Sequence, residues 1–327
     1  HTVVALIEKG YSPIIVDDFR NASEVALNGL TEILGFQPTV HRVDVCQVDE
    51  MRKIFQQYSF HGIIHFAAYK AVGESVEKPL QYYQNNLVGL LNMLSLMEEF
   101  KVLNFVFSSS CTVYGEPKET KEVHEETPKS LPESPYGYTK WIGEQIILDF
   151  FKSAPDFHLM NLRYFNPVGA HPSAKIGEFP LGKPNNLLPF VTQTAIGKQA
   201  FLTVFGDDYP TRDGSCVRDY IHVMDLAEGH VAAYQQLRSQ SNPHKESHTM
   251  TKREAIFPAN RHALYEEHGY SAAIRSGDLL FVSGQVGSRA DGSPEADFEL
   301  QVELAFENLK ATLAAAGCSF DDIVDVT

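Results

Sequence analysis

Asn104-Phe105-Val106-Phe107-Ser108-Ser109-Ser110 is an apolar run that ends in three hydroxyls. A short aromatic and β-branched run of this kind suits a strand buried on both faces, and such strands belong to parallel sheets. The pattern recurs on either side. Gly62-Ile63-Ile64-His65-Phe66-Ala67-Ala68 is a buried strand running into small residues, and Pro13-Ile14-Ile15-Val16 is another that ends in Asp17-Asp18. His158–Arg163 is a fourth. Helical patterns lie between them, around Asp49–Tyr58, Leu80–Phe100 and Tyr136–Phe151. Residues 2–9 read as the tail of an amphipathic helix closed by Gly10. Strands alternating with helices of this length predict an α/β fold with a doubly wound parallel sheet.

Such a sheet binds its ligand beyond the carboxyl ends of its strands. Those exits here are Asp17-Asp18, Phe66-Ala67-Ala68, Ser108-Ser109-Ser110 and Tyr164-Phe165-Asn166. One polar exit is an ordinary loop; four together favour a nucleotide site. Asp17 stands where an acidic residue accepts hydrogen bonds from adenosine ribose hydroxyls and repels a 2′-phosphate, which points to NAD rather than NADP. A plain turn aspartate explains Asp17 equally well on its own.

Tyr136-Gly137-Tyr138-Thr139-Lys140 places a phenol and an ammonium at i and i+4 on one helix face. A tyrosine with its ordinary pKa of about 10 is a poor base at neutral pH, and a fixed positive charge beside it lowers that pKa. Tyr114 and Lys118 share the spacing, but Pro117 between them argues against a continuous helix. Tyr136 follows Ser134-Pro135, a sensible helix entry, and comes after the serine-ended strand, whose hydroxyls can join a proton transfer. The bland alternative is a tyrosine and a lysine on a helix surface.

The 327 residues allow two domains, and 43% hydrophobic with 21% charged residues is ordinary globular composition. A formal net charge of −15 without a Lys/Arg cluster argues against nucleic acid. No apolar run approaches the ~18 residues of a membrane span. The start, His1-Thr2-Val3-Val4, lacks both a Met and the basic region of a signal peptide. Cys46, Cys111, Cys216 and Cys318 are scattered, as in a cytoplasmic protein with reduced thiols. The His61/His65 and His244/His248 pairs do not sit on helical patterns, so no metal site is expected.

Tyr-x-x-x-Lys with an upstream serine strand resembles the short-chain dehydrogenases/reductases. Longer words resemble the UDP-galactose/glucose 4-epimerases within that group. They are His65-Phe66-Ala67-Ala68-Tyr69-Lys70-Ala71-Val72-Gly73-Glu74-Ser75, Phe107–Gly115, Ser134-Pro135-Tyr136-Gly137, Arg163–Pro172, Pro184-Asn185-Asn186-Leu187 and Val217–Val223. They occur in the family's order between His1 and about Leu237. The resemblance implies epimerisation of UDP-galactose and UDP-glucose at C4 through a 4-keto sugar, with NAD as the hydride carrier. It implies that Tyr136 is the base, that Ser110 bridges Tyr136 and the sugar oxygen, and that Lys140 holds the nicotinamide ribose. Asp17, Asp18, Asp44, Phe66, Ala67, Ala68, Lys70 and Ser108 would serve the cofactor with Tyr136 and Lys140. Phe165, Asn166, Asn186 and Arg218, with Ser110, would hold the UDP-sugar, a guanidinium suiting a pyrophosphate.

The chain departs from that family at both ends. The family's first strand and Gly-rich turn are not found before His1, so the Rossmann-like sheet is expected to lack its first strand and to bind NAD poorly. Ala68, Tyr69 and Asp18 replace a usual Gly, Leu and Asn. A truncated NAD-binding domain is therefore expected over residues 1–237 and a polar loop or junction over 238–249. Residues 250–327 resemble the first part of the Rid (reactive intermediate deaminase) proteins, on the strand word Gly277–Gly287 and an amphipathic helix, Phe298–Gly317, with Val302, Ala305, Phe306 and Leu309 on one stripe. A partial α+β segment follows, in which Tyr270 and Ser283 match cleft-lining positions. The alternatives are thus an imine deaminase or small-ligand module carried by that segment, and an inactive composite of two fragments. The two families imply homo-oligomers, a dimer for the first part and a trimer for the second.

Overall fold

The computed structural model describes residues 1–116, 123–181, 184, 186–204, 206–212, 214–240, 254–258, 271–276, 279–282, 289, 291, 293 and 295–320. The chain divides into two compact units, His1–Lys245 and Glu246–Thr327.

The first unit opens with α1 (Thr2–Glu8), β1 (Ile15–Val16), α2 (Val25–Leu34), β2 (Val40–His41), α3 (Val48–Gln57) and β3 (Gly62–His65). It continues with α4 (Val72–Glu77), α5 (Pro79–Phe100), β4 (Asn104–Ser108), α6 (Pro135–Ser153) and β5 (His158–Leu162). Then come β6 (Asn166–Val168), α7 (Leu187–Ala195), β7 (Tyr220–His222) and α8 (Val223–Gln240). β4 pairs in parallel with β3 on one side, Ile64 opposite Val106, and with β5 on the other, Val106 opposite Met160.

All five residues of β4 are buried, and their alternation decides the layers. Phe105 and Phe107 enter a core with Met51, Ile54 and Phe55 of α3, Leu90 and Met97 of α5 and Ile147 of α6. Val106 points the other way, into a core with Ala5 and Leu6 of α1 and Ala227, Val231 and Leu237 of α8. Helices therefore cover both faces, as the near-continuous apolar run requires. Each such side chain contributes roughly 1.5–3 kcal/mol by leaving water.

The doubly wound parallel arrangement is present in blocks rather than as one sheet. β1 and β2 form their own parallel pair, Ile15 opposite Val40, and β6 and β7 another, Asn166 opposite Tyr220. A cavity of about 910 Å³ lies between β1 and β3, walled by Ile15, Val16, Ile63 and Ile64, with Leu6 and Ile54 also facing it. α8 reaches three residues into the stretch expected as a loop. Arg238 belongs to the helix, lines the same cavity, and sets its guanidinium 5.8 Å from the Tyr11 ring centroid.

The second unit holds β8 (Glu254–Ile256), β9 (Ala273–Ser276) and β10 (Leu279–Val282), antiparallel in the order β10-β9-β8, and α9 (Phe298–Ala315). Asp297 caps α9, its carboxylate accepting from the N–H groups of Glu299 (3.0 Å) and Leu300 (3.2 Å). Ile256, Ala273 and Ala316 form the core of this unit. Among the described residues the expected stripe of α9 is covered only in part: Ala305 and Leu309 are half-buried, whereas Val302 is 41% and Phe306 59% exposed.

Among the described residues, no helix is long and apolar enough to cross a membrane, and no group of three or more His, Cys, Asp or Glu side chains could hold a metal ion.

Candidate active site

The site is built where α6 meets the exit of β4. Ser134 is in extended conformation and its hydroxyl accepts from the Gly137 N–H at 3.2 Å, and Pro135 takes the first helical position. The helix thus starts just before Tyr136, which places Tyr136, Lys140 and Glu144 on one stripe at i, i+4 and i+8. The stripe meets three consecutive serines. Ser110 lies close enough to the Tyr136 phenol for its hydroxyl to lower the pKa of that group. Lys140 Nζ donates to the Ser108 carbonyl oxygen at 2.6 Å, and Ser109 Oγ donates to Glu144 Oε1 at 2.5 Å. Ser110 Oγ also accepts from the Thr112 N–H at 3.3 Å, capping a short 3₁₀ turn, Cys111–Tyr114.

Electrostatics at this point run against the expectation that Lys140 brings Tyr136 toward neutrality. Burial pushes the Tyr136 phenol up to about 12, with only the neighbouring Ser110 hydroxyl opposing it. The Lys140 ammonium is turned to a carbonyl instead of the phenol, and its own pKa is lowered to about 8 by burial. Beneath it, His65 is held neutral, its pKa lowered to about 3 by burial first and by Lys140 second. The His65 ring stacks on Phe105 and Phe107, with centroids 5.9 Å and 6.1 Å away.

Asp17, Asp18, Asp44, Phe66, Ala67 and Ala68 all line the cavity between β1 and β3. Asp17 turns the chain, Oδ1 accepting from the Phe19 N–H at 2.8 Å. Arg20, not singled out in the sequence, joins these residues: Nε lies 2.6 Å from Asp18, Nη1 donates to the Tyr69 hydroxyl at 2.7 Å, and Nη2 pairs with Asp44. Lys70 sits apart, exposed and 3.3 Å from Glu178. Ser108 Oγ meets the Tyr164 hydroxyl, and the Tyr164 ring packs edge-on against His230.

Of the residues expected at the sugar nucleotide, Asn166 and Arg218 are brought together by the β6–β7 pair. Asn166 Nδ2 donates to the Asp219 carbonyl at 2.9 Å, and the exposed Arg218 donates from Nη1 to the Val217 carbonyl at 2.8 Å. The charges of Arg218 and Asp219 are both felt at the Cys111 thiol, next to Ser110. Phe165 is half-buried at the β5 exit. Asn186 is exposed and donates to Glu178 at 2.5 Å, so Glu178 links it to Lys70. Neither Asn186 nor Arg218 shares a hydrogen bond with the Tyr136–serine cluster. Tyr270 and Ser283 lie outside the described residues.

Glu144, Arg163 and Arg20 escaped the sequence reading as site residues, whereas Tyr164 was already marked as part of a strand exit. For Glu144 the signal was available: it continues the Tyr136–Lys140 spacing by one more turn. Arg20 carried none, being one charge in a loop; besides the adjacent Asp18, its partners are 24 and 49 residues away.

A doubly wound parallel α/β unit with tyrosine, lysine and serine meeting at one strand exit is a dinucleotide-binding protein of the short-chain dehydrogenase/reductase type. The chain belongs to the NAD dependent epimerase/dehydratase family, whose model matches residues 1–246. It is 51% identical over 240 residues to UDP-glucose 4-epimerase 2 of Arabidopsis thaliana, covering 72% of this chain and 68% of the relative. To the Caenorhabditis elegans UDP-glucose 4-epimerase it is 47% identical over 250 residues, covering 74% and 72%. The Bifidobacterium longum UDP-glucose 4-epimerase, solved in complex with NAD+ and UDP, superposes with a TM-score of 0.70 at 46% identity, covering 72% of this chain and 70% of that one. The Stenotrophomonas maltophila enzyme, solved with NAD and formylated UDP-arabinopyranose, gives 0.70 at 43% identity, covering 74% and 71%. Residues 260–327 match a second model, Endoribonuclease L-PSP, in keeping with the Rid resemblance of the second unit.

Proposed function

We propose that the first unit interconverts UDP-galactose and UDP-glucose at C4. The observation that carries this is the meeting of Tyr136, Lys140 and Ser110 at the β4 exit, beside a cavity edged by Asp17 and Ala67-Ala68. The strand-exit rim of that cavity suits the ribose end of NAD, while its walls, Ile15, Val16, Ile63 and Ile64, are apolar strand residues. Asp17, with Asp18 and Asp44 beside it, supplies acceptors for ribose hydroxyls, and Ala67-Ala68 leave room for a flat ring or a diphosphate. Lys140, buried without a carboxylate, has a donor to give to the second ribose. The chemistry that bound NAD would supply here is reversible acceptance of the C4 hydride.

Tyr136 removes the proton of the sugar 4-hydroxyl as the hydride leaves, and returns it when the hydride does. Ser110 donates to the developing phenolate and so keeps the proton shared between Tyr136 and the sugar oxygen. The 4-keto sugar formed turns over between the two transfers, held through its diphosphate by Arg218 and through its uracil and sugar by Phe165, Asn166 and Asn186. A phenol held near 12 is a weak acid, so a positive charge arriving beside it is what readies it for catalysis.

Incubation with UDP-galactose and separation of the products tests this reading. UDP-glucose should appear with the unmodified chain, and Tyr136→Phe should lower the rate by about 10³-fold. Activity that survives Tyr136→Phe undiminished would sink it.

A second reading concerns residues 250–327 alone. The Endoribonuclease L-PSP match supports a small-ligand or imine-hydrolysing module there. Release of a ketoacid from an imine substrate, unchanged in Tyr136→Phe, is the outcome it requires.

A further inference from the structure

Glu144 is 0% exposed, yet it is an acid. An isolated buried carboxylate costs several kcal/mol, so its partners define what it is for. Arg163 meets it fork to fork, Nε and Nη2 each at 2.8 Å, and Lys129 Nζ stands 3.2 Å away. These cations hold its pKa below the usual range although burial opposes them. The fork alone would satisfy the charge. Ser109, itself 2% exposed, adds a further donor at 2.5 Å.

We propose that Glu144 is a positioning residue: through Ser109 it fixes the turn that presents Ser110 to Tyr136. This rests on the reading of Tyr136 as the base. Tyr136 and Glu144 are eight residues apart, about 12 Å along the helix axis. Their partners, Ser110 and Ser109, are adjacent in the chain. α6 therefore grips one short turn at both ends of its stripe, with Lys140 on the Ser108 carbonyl between them. Sliding or rolling α6 against the turn breaks the Glu144–Ser109 and Lys140–Ser108 bonds together and moves Ser110 relative to Tyr136. Glu144 also reaches the neighbouring strand exit, because Arg163 precedes Tyr164, whose hydroxyl meets Ser108 Oγ and whose carbonyl accepts from the Cys111 N–H at 3.2 Å. One carboxylate thus gathers the exits of β4 and β5 and the helix that carries the base.

Ser109→Ala tests this best, because it leaves the Glu144–Arg163 pair intact; Glu144→Gln strands a buried guanidinium and risks the fold. Two readouts are needed: steady-state kinetics with UDP-galactose, and NMR of isotope-labelled tyrosine, with the Tyr136 signal assigned by its loss in Tyr136→Phe. In Ser109→Ala the melting midpoint should fall by no more than about 4 °C. KM should stay put while kcat falls about ten-fold, the signature of lost transition-state positioning. The Tyr136 signal should move, and Ser109→Thr should restore both. If kcat and the Tyr136 signal are unchanged in Ser109→Ala, the proposal is overturned. If the unmodified chain shows no turnover but the signal moves and is restored by threonine, the positioning role stands and the epimerase reading falls.

Discussion

Lys140 gives its ammonium to the backbone carbonyl of Ser108, 2.6 Å away, and no acidic side chain among the described residues pairs with it. A buried cation held by a carbonyl and by the face of the Phe107 ring, 5.0 Å from its centroid, has no counter-charge, and the fold bears the cost of keeping it.

The cost has a pH window. Burial lowers the Lys140 pKa from 10.5 to about 8, so the folded state disfavours the charged form. Below about 8 the ammonium is charged in both states and the penalty is full; between there and 10.5 the folded chain sheds the proton that the unfolded chain keeps, and stability rises. Lys140→Met removes this dependence. It also leaves the Ser108 carbonyl without its donor, costing about 1–3 kcal/mol at every pH. Comparing urea unfolding at both ends of the window cancels that constant term. The unmodified chain should gain on the order of 3 kcal/mol more than Lys140→Met across it. An identical pH dependence in the two would contradict the assignment.

His65 works in the opposite range. Its folded pKa of about 3 lies below the ordinary 6.5, so the folded state refuses a proton that the unfolded chain accepts. Stability contributed by neutral His65 is complete above 6.5 and is lost as the pH falls through that value toward 3. At a pH near 5 the loss is about 2 kcal/mol. His65→Leu keeps an apolar group between Phe105 and Phe107, and its melting midpoint should fall less between neutral pH and pH 5 than that of the unmodified chain.

Much of this was legible in the chain itself, and the failures have physical causes. β4 and α6 could be read because burial on both faces and the Ser134-Pro135 entry are local signals. The end of α8 could not, since Arg238 looks like a loop residue until Tyr11 is placed beneath it. The direction of the Tyr136 shift was misread for a related reason. Spacing puts Lys140 on the phenol's face of the helix, but a lysine that reaches a carbonyl gives its charge to that carbonyl. α9 shows the limit of periodicity: it marks a stripe at Val302 and Phe306, while tertiary contact decides whether the stripe is covered.

Asp17 offers a test of the cofactor end. Its carboxylate lines the cavity and makes one local bond, to the Phe19 N–H. Asp17→Ala removes a charge that accepts from ribose hydroxyls and repels a 2′-phosphate. NAD should bind about ten-fold more weakly, a change of about 1.4 kcal/mol, and the preference for NAD over NADP should narrow. Titration calorimetry with both dinucleotides gives the two numbers. Because Arg20 stands within the same cluster, paired to Asp18 and Asp44, the variant leaves a cation near a 2′-phosphate. Weaker binding of both dinucleotides in equal measure would place the ribose elsewhere.

Arg218 separates binding from chemistry. It is exposed, and among the described residues its one hydrogen bond goes to the neighbouring Val217 carbonyl, so its removal costs the fold little. A guanidinium can hold two diphosphate oxygens at once, whereas an ammonium cannot reproduce that fork. The diphosphate is far from the reacting C4 and keeps its charge throughout the reaction. Arg218→Lys should therefore raise KM for UDP-galactose about ten-fold and leave kcat within about two-fold, the pattern of lost uniform binding. UMP inhibition should hardly change, since UMP carries one phosphate and cannot fill the fork, while UDP inhibition should weaken in step with KM. A fall in kcat at unchanged KM would mean that Arg218 acts on the transition state, and the assignment to the diphosphate would then be wrong.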